Sequence, residues 1–174
     1  MLEFKRGLFI GRFQPVHFGH MHAIKSTLSF VEELVIIIGS AQFSYTVDNP
    51  FTAGERVEMI KLAAFEEGIS CDRLFVIPIS DVQSHSLWVS HVKSRSPSFE
   101  VVFTGNSFVK LLFEDGGFEV RNITLWKREK FNATEIRKKM IGGGNWEELV
   151  PKSVADFIKK IDGVRRVKIR VSND

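Results

Sequence analysis

The sequence predicts an α/β domain with a mainly parallel sheet flanked by helices. Three observations carry this reading. Apolar runs of strand length alternate with helix-like stretches almost throughout. The first run, Leu8-Phe9-Ile10, ends in a glycine and a proline turn that feeds a helix. The 174 residues are enough to bury one sizeable core, and sixteen phenylalanines make that core rich in rings.

Candidate strands cover residues 6–10, 33–38, 73–78, 100–103 and 118–123, where apolar and β-branched residues cluster. Helices are expected at about 19–31, 53–67, 87–93 and 107–113 between them. Thr52-Ala53-Gly54-Glu55 is a capping box, in which the threonine hydroxyl and the glutamate carboxylate each accept from the other residue's N–H. A helix from near Ala133 stops at Gly142-Gly143-Gly144, and a shorter one starts at about Trp146. Pro151 precedes the last helix, which ends near Ile161. Beyond Gly163 the alternation in Val164-Arg165-Arg166-Val167-Lys168-Ile169-Arg170-Val171 suits an edge strand, and a solvated basic extension is the plainer alternative. The organisation expected is one domain over 1–174, with a core of about 5–130, a helical segment of about 131–162 and a basic tail of 163–174.

Hydrophobic residues at 44% and charged residues at 26% are ordinary for a globular chain. The longest apolar run, 34–39, is far too short to span a bilayer, and the first residues lack the apolar region of a signal peptide, so a cytoplasmic protein without membrane association is expected. Cys71 stands alone, which excludes an intramolecular disulfide. The net charge is only +3, with basic residues gathered in 121–139 and 159–170. Such patches suit either nucleic acid or a triphosphate. No helix-turn-helix, zinc-finger or RNA-binding aromatic motif accompanies them, so nucleic acid is the minor reading. Neither the P-loop string nor the dinucleotide-binding glycine fingerprint occurs.

The chemistry concentrates in Gly11-Arg12-Phe13-Gln14-Pro15-Val16-His17-Phe18-Gly19-His20. A helix start offers backbone N–H groups without intrahelical partners, which attract an anion, and Gly19 permits close approach to the main chain. His17 and His20 are three apart and, on a helical turn, reach the same phosphate. No third histidine or cysteine has ligand spacing, so no protein-held metal is expected. His22 is assigned to the surface without function. Near the other end, Asn132-Ala133-Thr134-Glu135-Ile136-Arg137 pairs an N-cap asparagine with a glutamate three residues on, then offers a hydroxyl and a guanidinium fork to phosphate oxygens.

The ten-residue string resembles the signature of the archaeal type of nicotinamide-nucleotide adenylyltransferases, within the nucleotidylyltransferase superfamily. The 132–137 segment is similar to that superfamily's Ser-x-Thr-x-x-Arg, with Asn132 replacing the serine. The resemblance runs from about residue 5 to 162. It implies a Rossmann-like nucleotidylyltransferase fold and transfer of AMP from ATP to nicotinamide mononucleotide (NMN), giving NAD and pyrophosphate by in-line attack without a covalent intermediate. It places His17 and His20 on the α and β phosphates, Arg12 on the triphosphate or acceptor phosphate, and Thr134 with Arg137 on β and γ. Gly11, Phe13, Gln14, Gly19 and Asn132 join the ATP site, and Gly105 with Asn106 lie near adenosine. Ser40, Asp81, His85 and Trp88 line the NMN site, the indole stacking on the ring; His85 stands where the family has asparagine. Residues 49–56 match as well, in a partly structural role. Phosphate-bridging Mg2+ and a symmetric homo-oligomer, a hexamer, are implied too. The alternatives are a different acceptor, such as phosphopantetheine, FMN or glycerol phosphate, and a nucleotide sensor without turnover.

Overall fold

A computed structural model describes residues 2–123, 126–127 and 129–172. Five parallel strands are ordered β3-β2-β1-β4-β5. They are β1 (Phe4–Gly11), β2 (Val31–Ile38), β3 (Leu74–Pro78), β4 (Val101–Thr104) and β5 (Glu119–Asn122). The central strand pairs Leu8 with Val35 on one side and with Val102 on the other. Chain order reverses across β1, so the crevice beyond Gly11 and Thr104 is where such sheets bind ligands.

Alternate side chains of the central strands bury on opposite faces, as a sheet covered on both sides requires. Phe9, Leu34, Ile36, Ile38, Val101 and Phe103 pack on one face. That face is covered by α1 (Phe18–Thr27), α2 (Ala53–Glu66), α5 (Ala133–Gly142), α6 (Lys152–Lys160) and α7 (Gly163–Ser172). Leu8, Val35, Ile37 and Val102 pack on the other, with Val92 of α3 (Trp88–Arg95) and Phe113 of α4 (Ser107–Asp115). No helix among the described residues is long and apolar enough to cross a membrane.

Three expectations are corrected. The tail is helix α7, not an edge strand. Val164 and Val167 are three apart, and the first packs against the core while the second is fully buried, so helical spacing wins over the apparent alternation. Asn173 and Asp174 lie outside the described residues. Helix α1 stops at Thr27, because Phe30 O accepts from the N–H groups of Glu3 and Phe4 and Val31 already pairs with Phe4 in the sheet. The helix expected from Trp146 is one short 3-10 turn, Glu147–Leu149, which the extended Val150 and then Pro151 bring to an end.

Candidate active site

Two hollows open at the carboxyl ends of the strands. The smaller, of about 240 Å3, is lined by Arg12, Phe13, Gln14, His17, Gly19, His20, Phe131, Asn132, Ala133, Thr134 and Arg137. It joins the two predicted phosphate motifs, which lie more than a hundred residues apart in sequence. The larger, of about 460 Å3, gathers Gly11, Arg12, Ser40, Asp81, His85, Trp88 and Asn106 with apolar Phe108, Val109 and Leu112. Arg12, exposed, lines both.

His17 is the N-cap of α1 rather than a residue of its first turn. Its Nδ1 accepts from the His20 N–H at 3.3 Å, and the His20 Nδ1 accepts from the His17 N–H at 3.3 Å. This is a capping box made of imidazoles. Since both Nδ1 atoms accept, each neutral ring carries its proton on Nε2, leaving one donor per ring for a ligand. The rings stack at 3.7 Å between centroids. Burial lowers His17 to about 3. Burial, and then the neighbouring His17, hold His20 well below the ordinary imidazole range. Both rings are therefore neutral donors at pH 7.

Gly19 lines the smaller hollow and also makes room within the site. A Cβ there would sit 3.0 Å from the His17 ring and 3.1 Å from Phe131 Cβ, so the glycine makes room for the imidazole. Gly11 does the same for Phe13, whose ring edge lies 2.9 Å from a Cβ placed there. Phe13 is buried and packs on His20 at 4.6 Å. The Gln14 side chain is committed elsewhere. Its amide donates to Phe51 O at 2.9 Å and accepts from Phe51 N–H at 3.0 Å, so Gln14 supports the site by fixing the chain at Phe51.

On the opposite wall, Asn132 caps α5 by accepting from Glu135 N–H at 2.8 Å, while the Glu135 carboxylate takes the Lys138 ammonium at 2.7 Å. Thr134 is exposed at the helix start. Arg137 is buried; one guanidinium N–H donates to Gln14 O at 2.9 Å and another to Asp48 at 3.2 Å. Burial lowers its pKa, with Arg12 adding to the effect and Asp48 opposing it. It is a guanidinium fixed from both ends, not a free surface fork.

In the larger hollow the Asp81 carboxylate accepts from Ser40 N–H at 3.1 Å and from the Gln42 amide at 3.3 Å, tying the loops after β2 and β3 together. Trp88 is half-buried at the start of α3. His85 is exposed and meets Phe108 edge-on at 4.9 Å. Asn106, expected beside adenosine, lies in this same hollow; its side-chain Oδ1 caps α4 by accepting from Phe108 and Val109 N–H. Gly105 is exposed next to it and lines neither hollow. His22 is exposed and stacks on Trp126 at 5.5 Å.

Two residues of consequence lie outside the predicted site: Arg56, expected within 49–56 only in a partly structural role, and Asp48, which had no assigned role. Arg56 is fully buried and donates to the carbonyls of Thr52, Arg12, Gly39 and Ser40, so it clamps the turns after β1 and β2 that border both hollows. Burial lowers its pKa to about 10. The signal for it was its place on the apolar face of α2, three and four residues before the buried Met59 and Ile60. Asp48, the Arg137 partner, had no local signal.

The cytidylyltransferase-like family profile matches residues 8–139, most of the chain. The chain belongs to this family. A nicotinamide-nucleotide adenylyltransferase of Thermococcus onnurineus is 51% identical over 169 residues, covering 97% of this chain and 90% of that protein. One of Pyrobaculum arsenaticum is 47% identical over 170 residues, covering 97% and 96%. Among solved structures, a bifunctional NMN adenylyltransferase/ADP ribose pyrophosphatase from Francisella tularensis, complexed with AMP and a manganese ion, superimposes with a TM-score of 0.78 at 24% identity. It matches 98% of this chain, which spans about half (53%) of that longer protein, and the likeness establishes the shared fold.

Proposed function

We propose that this protein is a nicotinamide-nucleotide adenylyltransferase, joining ATP and NMN to give NAD and pyrophosphate. The observation that carries the reading is Arg12 at the junction of two hollows of different character, one with imidazole and guanidinium donors, the other with an indole and apolar walls. A triphosphate suits the first. A flat cationic pyridinium suits the second, where Trp88 offers its ring face and Asp81 a carboxylate able to accept from a carboxamide.

With the substrates so placed, an oxygen of the NMN phosphate attacks the α-phosphorus of ATP in line. The new P–O bond forms as the bond to the β-phosphate bridging oxygen breaks, and pyrophosphate leaves with that electron pair. The acceptor is already an anion at neutral pH, so no side chain need remove a proton or form a covalent bond. The protein contributes position and donors to the charge that develops. The Nε2–H groups of His17 and His20 serve the α and β phosphates, Thr134 and the Arg137 guanidinium the β and γ phosphates, and Arg12 the transferring group. Magnesium is carried in as part of the substrate on the phosphate chain. Among the described residues no group of three His, Cys, Asp or Glu side chains could hold a metal ion. The wider reading is a single-domain cytoplasmic enzyme that forms a symmetric homo-oligomer, a hexamer.

The test supplies ATP, magnesium and a panel of acceptor phosphates, and measures pyrophosphate and adenylylated product. NAD and pyrophosphate in equal amounts from NMN are expected. Turnover only with another acceptor, or nucleotide binding without pyrophosphate, overturns the reading. His20→Ala should lose on the order of a hundredfold in kcat, the loss of one donor to developing charge, and should melt somewhat below the parent because its half of the cap is gone.

A further inference from the structure

The loop after β2 runs from Gly39 to Thr52, and Asp48 lies in it at a narrow turn that meets Arg137, a residue of the smaller hollow. Thr46 N–H donates to Asn49 O at 3.2 Å, and Asn49 N–H to the Thr46 hydroxyl at 3.0 Å. The turn is anchored from behind by α7. Arg166 stands over the Tyr45 ring at 4.5 Å, donates to Pro50 O at 3.3 Å and pairs with Glu55 at 2.7 Å. Anchored in this way, the turn presents the Asp48 carboxylate to Arg137, and the pair is markedly asymmetric. The arginine side chain is 6% exposed and the aspartate 73%. A buried cation thus meets a solvated anion that can be exchanged without disturbing the core.

An exposed partner contributes little to fold stability, whereas a buried guanidinium near a second one, Arg12, needs a counter-charge. Phosphate oxygens arriving in the hollow supply the same counter-charge with better geometry for the planar fork. We propose that Asp48 is an internal counter-ion that holds Arg137 in position while the hollow is empty and releases the Arg137 N–H donor to the terminal phosphate of a bound triphosphate. It is a positioning residue, acting through Arg137. Its consequence is on affinity: the carboxylate competes with ATP as it enters and helps expel pyrophosphate as it leaves. The inference rests on the placement of the triphosphate among His17, His20, Thr134 and Arg137.

The experiment compares steady-state kinetics of the full-length parent and Asp48→Asn, which keeps the acceptor oxygen and shape and removes the charge. KM for ATP and the inhibition constant of pyrophosphate should both fall by about two- to fivefold, the range of an exposed ion pair expressed as an equilibrium constant. KM for NMN should stay the same. A merely structural loop residue would give the opposite pattern, with KM for both substrates rising and the melting temperature falling. An unchanged or raised KM for ATP overturns the inference. Arg137→Lys, which loses the fork and keeps the charge, checks the placement separately. If it leaves KM for ATP unchanged, the placement fails and the inference with it. If it weakens ATP while Asp48→Asn fails to tighten it, the counter-ion inference alone fails.

Discussion

Acidification should weaken this fold through the imidazole pair before ordinary carboxylates begin to titrate. In the folded protein His17 titrates at about 3 because it is buried, against an ordinary value of 6.5 in the unfolded chain. Between those values the unfolded chain binds the proton and the folded one does not. The stability that the neutral ring contributes is therefore complete above pH 6.5 and is lost progressively as pH falls toward 3. Linkage over that interval gives about 2 kcal/mol lost at pH 5 relative to pH 7.5 from His17 alone. His20, lowered in the same direction, adds to the loss. The geometry explains why neither ring accommodates the proton: both Nδ1 atoms accept the N–H bonds of the cap, so protonation breaks that box and sets two cations 3.7 Å apart. Urea unfolding at steps between pH 7.5 and 5 measures the effect. His17→Asn keeps a capable N-cap and removes one titrating ring, so its curve should fall by about 2 kcal/mol less than the parent's over the same range. Carboxylate contributions are common to both proteins and cancel in the difference. Parallel curves for parent and variant would refute the reasoning.

Two further outcomes are expected. Trp88→Ala should raise KM for NMN by about fivefold or more through loss of a ring face against a cation, with KM for ATP unchanged, as initial rates at varied NMN would record. Arg56→Met leaves the carbonyls of Arg12, Gly39 and Ser40 without their buried donor, so chemical denaturation should show a loss of about 3 kcal/mol and both Michaelis constants should rise.

What the sequence disclosed was local chemistry. The first strand, the Thr52–Glu55 box and the Asn132 cap are set by neighbours three or four residues apart, and the structure has each in place. The motifs at 11–20 and 132–137 could be singled out because their residue types and spacing are specific, and the structure brings both to the smaller hollow. What stayed hidden depends on distant partners. Gln14 was placed in the ATP site, and nothing nearby announces that Phe51 takes both ends of its amide. Arg137 looked free because Asp48 is far away in sequence. The tail misled for a different reason: a run of alternating valines and basic residues fits period two over a few positions, and only the packing of Val164 and Val167 against the core decides for the helix.

Transfer between the substrates requires the two hollows to meet at Arg12, and a crystal structure with NMN and a non-hydrolysable ATP analogue bound together measures this directly. The nicotinamide ring should lie against Trp88, the triphosphate should span His17, His20 and Arg137, and an NMN phosphate oxygen should stand about 3 to 3.5 Å from the α-phosphorus beside Arg12. Nicotinamide found among the histidines, or two phosphates held apart with Arg12 touching neither, would contradict it.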